Sequence, residues 1–144
     1  MSFYPAFLCA SLRSLRLKIM TENELSSIVV REAIRIHRIL GPGLLESVYE
    51  NCLAYKLAGL GVLVERQKPI PLVFEEVKLE CGFRCDILVE NKLIIEIKFV
   101  EELNNIHLAQ MLTYLKLADK KLGLLINFNV LRLKEGIRRV VNNL

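Results

Sequence analysis

The sequence predicts an α/β domain in which helices flank one central mixed β-sheet. Three observations support this class. Two segments with helical spacing of apolar residues come first, short segments rich in branched residues follow, and a further helix and an apolar run end the chain. The 144 residues suit a single domain, and 53% apolar residues are enough for a core. A disordered or low-complexity chain is excluded.

Residues 1–20 are predicted to be a disordered leader or a mis-assigned start, and residues 21–144 a single domain. The leader holds Arg13, Arg16 and Lys18 and no acid, and so carries three of the four net positive charges. Its basic residues follow the apolar stretch, whereas in a secretory signal they precede it; a transit-type or interfacial segment is the alternative. No apolar run approaches the ~20 residues of a membrane span, so no membrane association is expected.

Two helices are predicted at the start of the domain. The first covers 22–40, because Thr21 and Glu24 form a capping box and a Gly-Pro pair follows. The second begins near Leu44 and ends before Gly59. The predicted inner faces are Leu25, Ile28, Val29, Ala33, Ile36 and Ile39 in the first helix, and Leu45, Val48, Tyr49, Cys52 and Leu53 in the second.

Strands are predicted for the middle of the chain, where short segments rich in branched or aromatic residues are separated by Pro69, Pro71 and Gly82. Five segments form a predicted meander: 62–64, 70–74, 77–81, 83–89 and 93–99. A polar break at 90–92 makes the last two a hairpin. After them we expect a third helix over 105–118, a strand covered on both faces over 122–128, and a strand or helical turn over 137–141.

The cysteines predict a reducing environment. Cys9 lies in the leader, Cys52 on an apolar helical face, and Cys81 and Cys85 on one face of a strand. Two thiols at that spacing, with no second pair and no nearby His, make a poor zinc site. We expect buried reduced thiols and a cytoplasmic location.

Charged residues interrupt the apolar hairpin at Asp86, Glu96 and Lys98. Glu96 and Lys98 share a face of their strand because side chains alternate. If the loop is the three residues 90–92, Asp86 lies opposite Glu96, whereas a two-residue loop would shift the pairing. Two adjacent carboxylates repel unless a cation lies between them, and Mg²⁺ suits such a site, with Mn²⁺ as the alternative ion. Lys98 could contact a phosphate oxygen or the attacking water. The simpler alternative is a solvated strand face with an ordinary Glu–Lys pair.

Two helices offer further candidates. Glu46 lies three residues before Tyr49 near the start of the second helix and could be a third metal-binding acid; alternatively, the helix dipole favours a glutamate there and Tyr49 is core. Gln110 and Tyr114 share a face of the third helix, and His107 lies one turn earlier, where it could form a hydrogen bond near the site. Alone, this segment is better explained as the polar edge of an amphipathic helix.

Together these segments resemble the GxxExxY proteins, a group within the PD-(D/E)XK nuclease superfamily. The resemblance covers nearly all of residues 21–141. The segments that match are Gly43-x-x-Glu46-x-x-Tyr49, Arg84-Cys-Asp86-Ile-Leu-Val, Ile95-Glu96-Ile-Lys98, Gln110-x-x-x-Tyr114 and Gly123-Leu-Leu-Ile-Asn-Phe128.

The resemblance implies the αβββαβ nuclease core with an extra N-terminal helix. It implies that Glu46, Asp86 and Glu96 bind the metal, that Lys98 is the catalytic lysine, and that Gln110 and Tyr114 complete the catalytic site. The sequence departs from the family at two positions: Cys85 replaces the proline of the superfamily's name, and Asn129 stands where relatives often have glycine.

The leading hypothesis is a Mg²⁺-dependent nuclease, with nucleic acid as partner. The alternatives are an inactive nuclease-fold module that binds nucleic acid or a protein, and a purely structural partner protein. Because the domain is small, sequence-specific cleavage would need a homodimer or a protein partner.

The basic residues that could contact phosphates are Arg66, Lys68, Arg132, Lys134, Arg138 and Arg139, which could equally form a solvated surface. His37, between Arg35 and Arg38, is predicted to be a surface residue.

Overall fold

The computed structural model describes residues 19–144, so the prediction of a leader falls almost entirely outside the described residues. The elements, in chain order, are α1 (Glu22–Leu40), α2 (Glu46–Gly59), β1 (Val64–Phe74), β2 (Val77–Val89), β3 (Leu93–Lys98), α3 (Asn105–Ala118), β4 (Leu122–Asn127), a 3-10 turn (Leu133–Gly136) and β5 (Ile137–Val141). No helix in this range is both long enough and apolar enough to cross a bilayer.

The five strands form one mixed sheet in the order β1-β2-β3-β4-β5. β3 and β4 run parallel, while the other neighbouring pairs are antiparallel. Helices α1 and α2 pack on one face, where Leu25 and Leu53 meet β3 residues such as Ile95. Helix α3 covers the other face, where Met111 and Leu115 meet Ile94. The predicted α/β class, with helices flanking a central mixed sheet, is therefore confirmed.

The predicted boundaries of α1 agree with the structure. The backbone N–H of Thr21 donates to Glu24 at 2.8 Å, and the Thr21 hydroxyl accepts from the Glu24 N–H, which completes the capping box. Helix α2 starts two residues later than predicted. Leu45, predicted to face inward, precedes its first turn and is 74% exposed. Ile39, near the end of α1, is also exposed rather than buried.

The prediction of four separate strands before residue 90 was wrong, because β1 and β2 form one long hairpin, whereas the predicted strand 93–99 agrees with β3. Pro69 and Pro71 do not end β1, since it is an edge strand and a missing N–H is tolerated at an unpaired edge. Gly82 does not break β2 either. A Cβ atom there would lie 2.5 Å from the Cβ of Leu72, so glycine permits close approach at the register shift between Ile70 and Leu72.

Two further predictions of burial are corrected. His37 is buried, with Nε2 2.8 Å from the carbonyl oxygen of Val130 and its ring centroid 6.3 Å from that of Phe128. The segment after β4 covers this end of α1, which the local sequence of the helix cannot indicate. Cys85 is buried as predicted, but Cys81 is exposed because its part of β2 extends beyond the helices.

Candidate active site

Asp86 and Glu96 meet where β2 and β3 separate. The two strands pair through Ile87 with Ile95, and continuing that register by one residue places Asp86 opposite Glu96, in agreement with the prediction from a three-residue loop. The N–H of Asp86 donates to Oε1 of Glu96 at 3.3 Å, and the N–H of Ile97 donates to Oδ2 of Asp86 at 2.8 Å. At this point, backbone N–H groups of β2 and β3 donate to side-chain carboxylates instead of to carbonyl oxygens of the neighbouring strand.

Burial makes this pair of acids electrostatically unfavourable. Glu96 is 6% exposed. Burial, and then repulsion from Asp86, raise the pKa of Glu96 to about 8, against the opposing effect of Lys98. Burial also raises the pKa of Asp86, although hydrogen bonds from Ile97 and Gln67 and the charge of Lys98 lower it. Ionising both carboxylates near neutral pH therefore requires additional positive charge.

Glu46 reaches this region from the first turn of α2. Its Oε1 accepts a hydrogen bond from the N–H of Phe99 at 2.9 Å, and its charge raises the pKa of Asp86. The loop before it is held by Tyr49, whose hydroxyl donates to the carbonyl oxygen of Gly41 at 2.6 Å and accepts from the N–H of Leu44 at 3.2 Å. Each conspicuous residue of the Gly-x-x-Glu-x-x-Tyr segment thus has a structural part, including Gly43, whose φ of 100° favours glycine.

Helix α3 brings Tyr114 to the two acids from the other side. Tyr114 stacks on Phe83, with ring centroids 3.8 Å apart. Burial, and then the charges of Glu96 and Asp86, raise its pKa, while a hydrogen bond with Gln110 lowers it. His107 was predicted to form a hydrogen bond near the site. Its Nδ1 instead accepts from the N–H of Asn104 at 3.0 Å, within the capping box at the start of α3.

The arrangement of the acids suits a divalent metal held by Asp86 and Glu96 better than one held by three carboxylates. Within residues 19–144, no group of three or more His, Cys, Asp or Glu side chains is arranged to hold a metal ion. The Glu46 carboxylate is instead engaged by Phe99, so its part as a third ligand stays a prediction. Mg²⁺ commonly takes one or two carboxylates and completes its shell with water and phosphate, which buried Glu96 and half-buried Asp86 can support.

Glu50 and Gln67 are polar residues of this region that the sequence analysis missed. Glu50 is 6% exposed, and both its carboxylate oxygens accept from Nε2 of Gln67, at 3.0 and 3.1 Å. The same nitrogen lies 3.4 Å from Oδ1 of Asp86. A signal existed, since Glu50 lies four residues after Glu46 and therefore on the same side of α2.

Most of the predicted phosphate-contacting residues have partners within the protein. Arg66 forms an ion pair with Glu50 at 3.5 Å, and Lys68 pairs with Glu65. Arg138 donates to two backbone carbonyls, and Arg139 donates to the side chain of Asn23. Arg132 and Lys134 are exposed near the 3-10 turn. A phosphate-binding role for these six residues stays a prediction.

Comparison with known proteins agrees with the fold of the domain. No curated protein and no solved structure gave a significant match. The model of the PD-(D/E)XK nuclease superfamily, however, matches residues 3–140, which include all three described helices and strands β1 to β4. Since that match spans nearly the whole chain, the protein belongs to the PD-(D/E)XK nuclease superfamily.

Proposed function

We propose that the protein is a Mg²⁺-dependent nuclease that hydrolyses phosphodiester bonds in nucleic acid, with Mn²⁺ able to replace Mg²⁺. The observation that carries this proposal is the contact between Asp86 and Glu96 at the opening of the sheet, with Lys98 two residues further along β3. Membership of the nuclease superfamily supports it, because its members generally use divalent metal ions.

In the proposed reaction, Asp86 and Glu96 hold the metal ion, which would stabilise the charge that develops on the scissile phosphate. Lys98 is half-buried on the same strand and lowers the pKa of both acids through its charge. Its ammonium group donates to a phosphate oxygen or orients the attacking water. Water adds to phosphorus as the bond to the leaving oxygen breaks, the attacking water loses a proton to solvent, and the leaving oxygen takes one from solvent. Tyr114 and Gln110 border the site on the α3 side and complete the proposed catalytic set.

Further assignments within this proposal rest on particular residues. We propose membership of the GxxExxY group, supported by the positions of Gly43, Glu46 and Tyr49 around the start of α2. A cytoplasmic location is supported by the free thiols of Cys52, Cys81 and Cys85. The homodimer or protein partner expected for sequence-specific cleavage stays a prediction.

One observation favours a second candidate, a nuclease-fold module that binds nucleic acid or a protein without cleaving. The Glu46 carboxylate accepts from the Phe99 N–H instead of joining the other two acids as a third ligand. A metal site of two carboxylates alone would hold Mg²⁺ weakly in the absence of substrate phosphate.

The test is an assay of the full chain against single- and double-stranded DNA and RNA, with Mg²⁺, with Mn²⁺ and with chelator. Asp86→Asn and Lys98→Ala should each reduce cleavage by about 100-fold or more. Asp119→Asn is the matched control, because Asp119 ends α3 in a left-handed conformation that asparagine also adopts, and it should cleave normally.

Cleavage that persists in both site variants would identify a contaminating nuclease and overturn the proposal. Absence of cleavage of every substrate, together with no heat of Mn²⁺ binding in calorimetry, would favour the non-catalytic module.

A further inference from the structure

A chain of hydrogen bonds connects Glu50 to Asp86 through the side-chain amide of Gln67. The amide nitrogen lies 3.0 and 3.1 Å from the two oxygens of Glu50 and 3.4 Å from Oδ1 of Asp86. Flipping the side-chain amide of Gln67 would place its oxygen, an acceptor, against these three carboxylate oxygens, which are also acceptors. The acceptors around it therefore fix Gln67 as the donor to Asp86.

Glu50 has no part in the proposed reaction, yet its carboxylate is almost completely buried. A buried carboxylate is unfavourable unless charge and hydrogen bonds compensate it. Here the compensation comes from Arg66, whose Nε lies 3.5 Å from Oε1, and from the bidentate contact of Gln67. Both partners of Glu50, Arg66 and Gln67, lie on the segment of β1 that pairs with β2 around Asp86.

The backbone of Gln67 is unusual at the same point. Its φ is 49°, a left-handed value that is rare for residues other than glycine in a strand. Arg66 pairs with Ile87 and Lys68 pairs with Cys85, but the ladder skips Gln67 and Asp86. The alternation of side chains along β2 is also interrupted there. Cys85 and Ile87 are two residues apart and would share a face in a regular strand, but Cys85 packs on the α3 side and Ile87 on the α1–α2 side.

We propose that Glu50 and Gln67 are positioning residues that set the orientation of the Asp86 carboxylate. Gln67 donates to Oδ1 while the Ile97 N–H donates to Oδ2, so both oxygens are held and the plane of the carboxylate is fixed. Glu50 in turn fixes the amide of Gln67. This inference rests on the proposed function, since it assigns the two residues to the metal-binding acid of that site. The unusual backbone at Gln67 is the local cost of bringing the amide to Asp86.

The first test separates backbone strain from function. Gln67→Gly relieves the left-handed backbone but also removes the amide donor from buried Glu50, so these opposing effects should leave only a small change in the midpoint of urea unfolding. It should also lower kcat about 10- to 100-fold and weaken Mn²⁺ binding, with little change in KM for nucleic acid. Glu75→Gly is the matched control, because Glu75 is exposed at a φ of 53° in the turn between β1 and β2. That control should keep wild-type kcat and Mn²⁺ affinity.

The second test exchanges the two side chains. Gln67→Glu alone places a third carboxylate against Glu50 and Asp86 and should lower both stability and kcat. The double variant Glu50→Gln with Gln67→Glu again pairs an amide with a carboxylate, so it should recover much of the stability. It still presents a carboxylate instead of a donor to Asp86, so kcat should stay low.

The outcomes distinguish this inference from the proposed function. Recovery of kcat together with stability in the double variant would make the role structural and overturn the inference. Wild-type kcat and Mn²⁺ affinity in Gln67→Gly would overturn it as well, while leaving the nuclease proposal intact. Absence of both cleavage and Mn²⁺ binding in the wild-type protein would overturn the proposed function and this role with it.

Discussion

Asp86 and Glu96 are held against each other by the backbone, since the N–H of Asp86 donates to Oε1 of Glu96 at 3.3 Å. Burial and the neighbouring acid raise the pKa of Glu96 to about 8, well above the ordinary value of 4.5. A metal-free protein must therefore either keep a proton on this pair or accept the repulsion between a buried and a half-buried charge.

This pair predicts that the metal-free protein loses stability as pH rises. A carboxyl with a higher pKa in the folded state contributes stability that is complete below its unfolded pKa and is lost as pH rises through its folded pKa. For Glu96 the window is from about 4.5 to about 8, and the loss is on the order of 4 kcal/mol. The pKa of Asp86 is also raised, so its contribution has the same sign.

The measurement is urea unfolding in chelator at a series of pH values between 5 and 8. Glu96→Gln should flatten the dependence, and exposed Glu135→Gln should retain it. Adding Mg²⁺ should raise stability more at pH 8 than at pH 5, because protons compete for the same carboxylates. An equal slope in wild type and Glu96→Gln would contradict this account of the site.

The start of α1 and the register between β2 and β3 were predicted correctly from the local sequence. The capping box fixed the start of α1, and the three-residue break at 90–92 fixed the register that brings Asp86 to Glu96. Both features follow from spacing along the chain, which the sequence displays directly.

Features that depend on distant segments were missed or wrong. His37 is buried only because the backbone at Val130 returns to α1, more than ninety residues later in the chain. Glu50 and Gln67 meet across the fold, and the pattern of β1 does not indicate that Gln67 adopts a left-handed conformation. The prolines of β1 resembled strand breaks because edge position is a property of the sheet and not of the strand's own sequence.

Tyr49 is predicted to stabilise the loop that presents Glu46. Tyr49→Phe keeps the stacking on Phe128, whose ring centroid is 4.2 Å away, but removes the hydrogen bonds to Gly41 and Leu44. The carbonyl of Gly41 and the N–H of Leu44, which are only partly buried, each lose a partner, so the free energy of unfolding should fall by about 1–2 kcal/mol. Cleavage should also fall at temperatures where the variant is folded, since the loop leads directly into Glu46.

The matched control for this change is Tyr55→Phe, because Tyr55 lies on the same helix and is 77% exposed. Its stability and activity should equal those of the wild type. Equal loss of stability in both variants would show that the hydroxyl of Tyr49 does not anchor the loop.

Gly123 is predicted to set the distance between α3 and the sheet. A Cβ atom at this position of β4 would lie 2.4 Å from Sδ and 2.9 Å from Cγ of Met111, which is fully buried. Gly123→Ala must therefore displace Met111 and should lower the free energy of unfolding by about 1–3 kcal/mol, as overpacking of a core does. Gly59→Ala is the matched control, since Gly59 ends α2 with open space around it and alanine is the better helix former.

The contact with Met111 can be isolated by a double-mutant cycle with Met111→Val, which shortens the side chain that meets the new methyl group. If this contact carries the cost, the double variant should lose less stability than the sum of the two single variants, by about 1 kcal/mol. Strict additivity would place the cost elsewhere in β4. Because Met111 directly follows Gln110 on α3, a displaced helix should also lower cleavage in Gly123→Ala, and the second substitution should restore part of it.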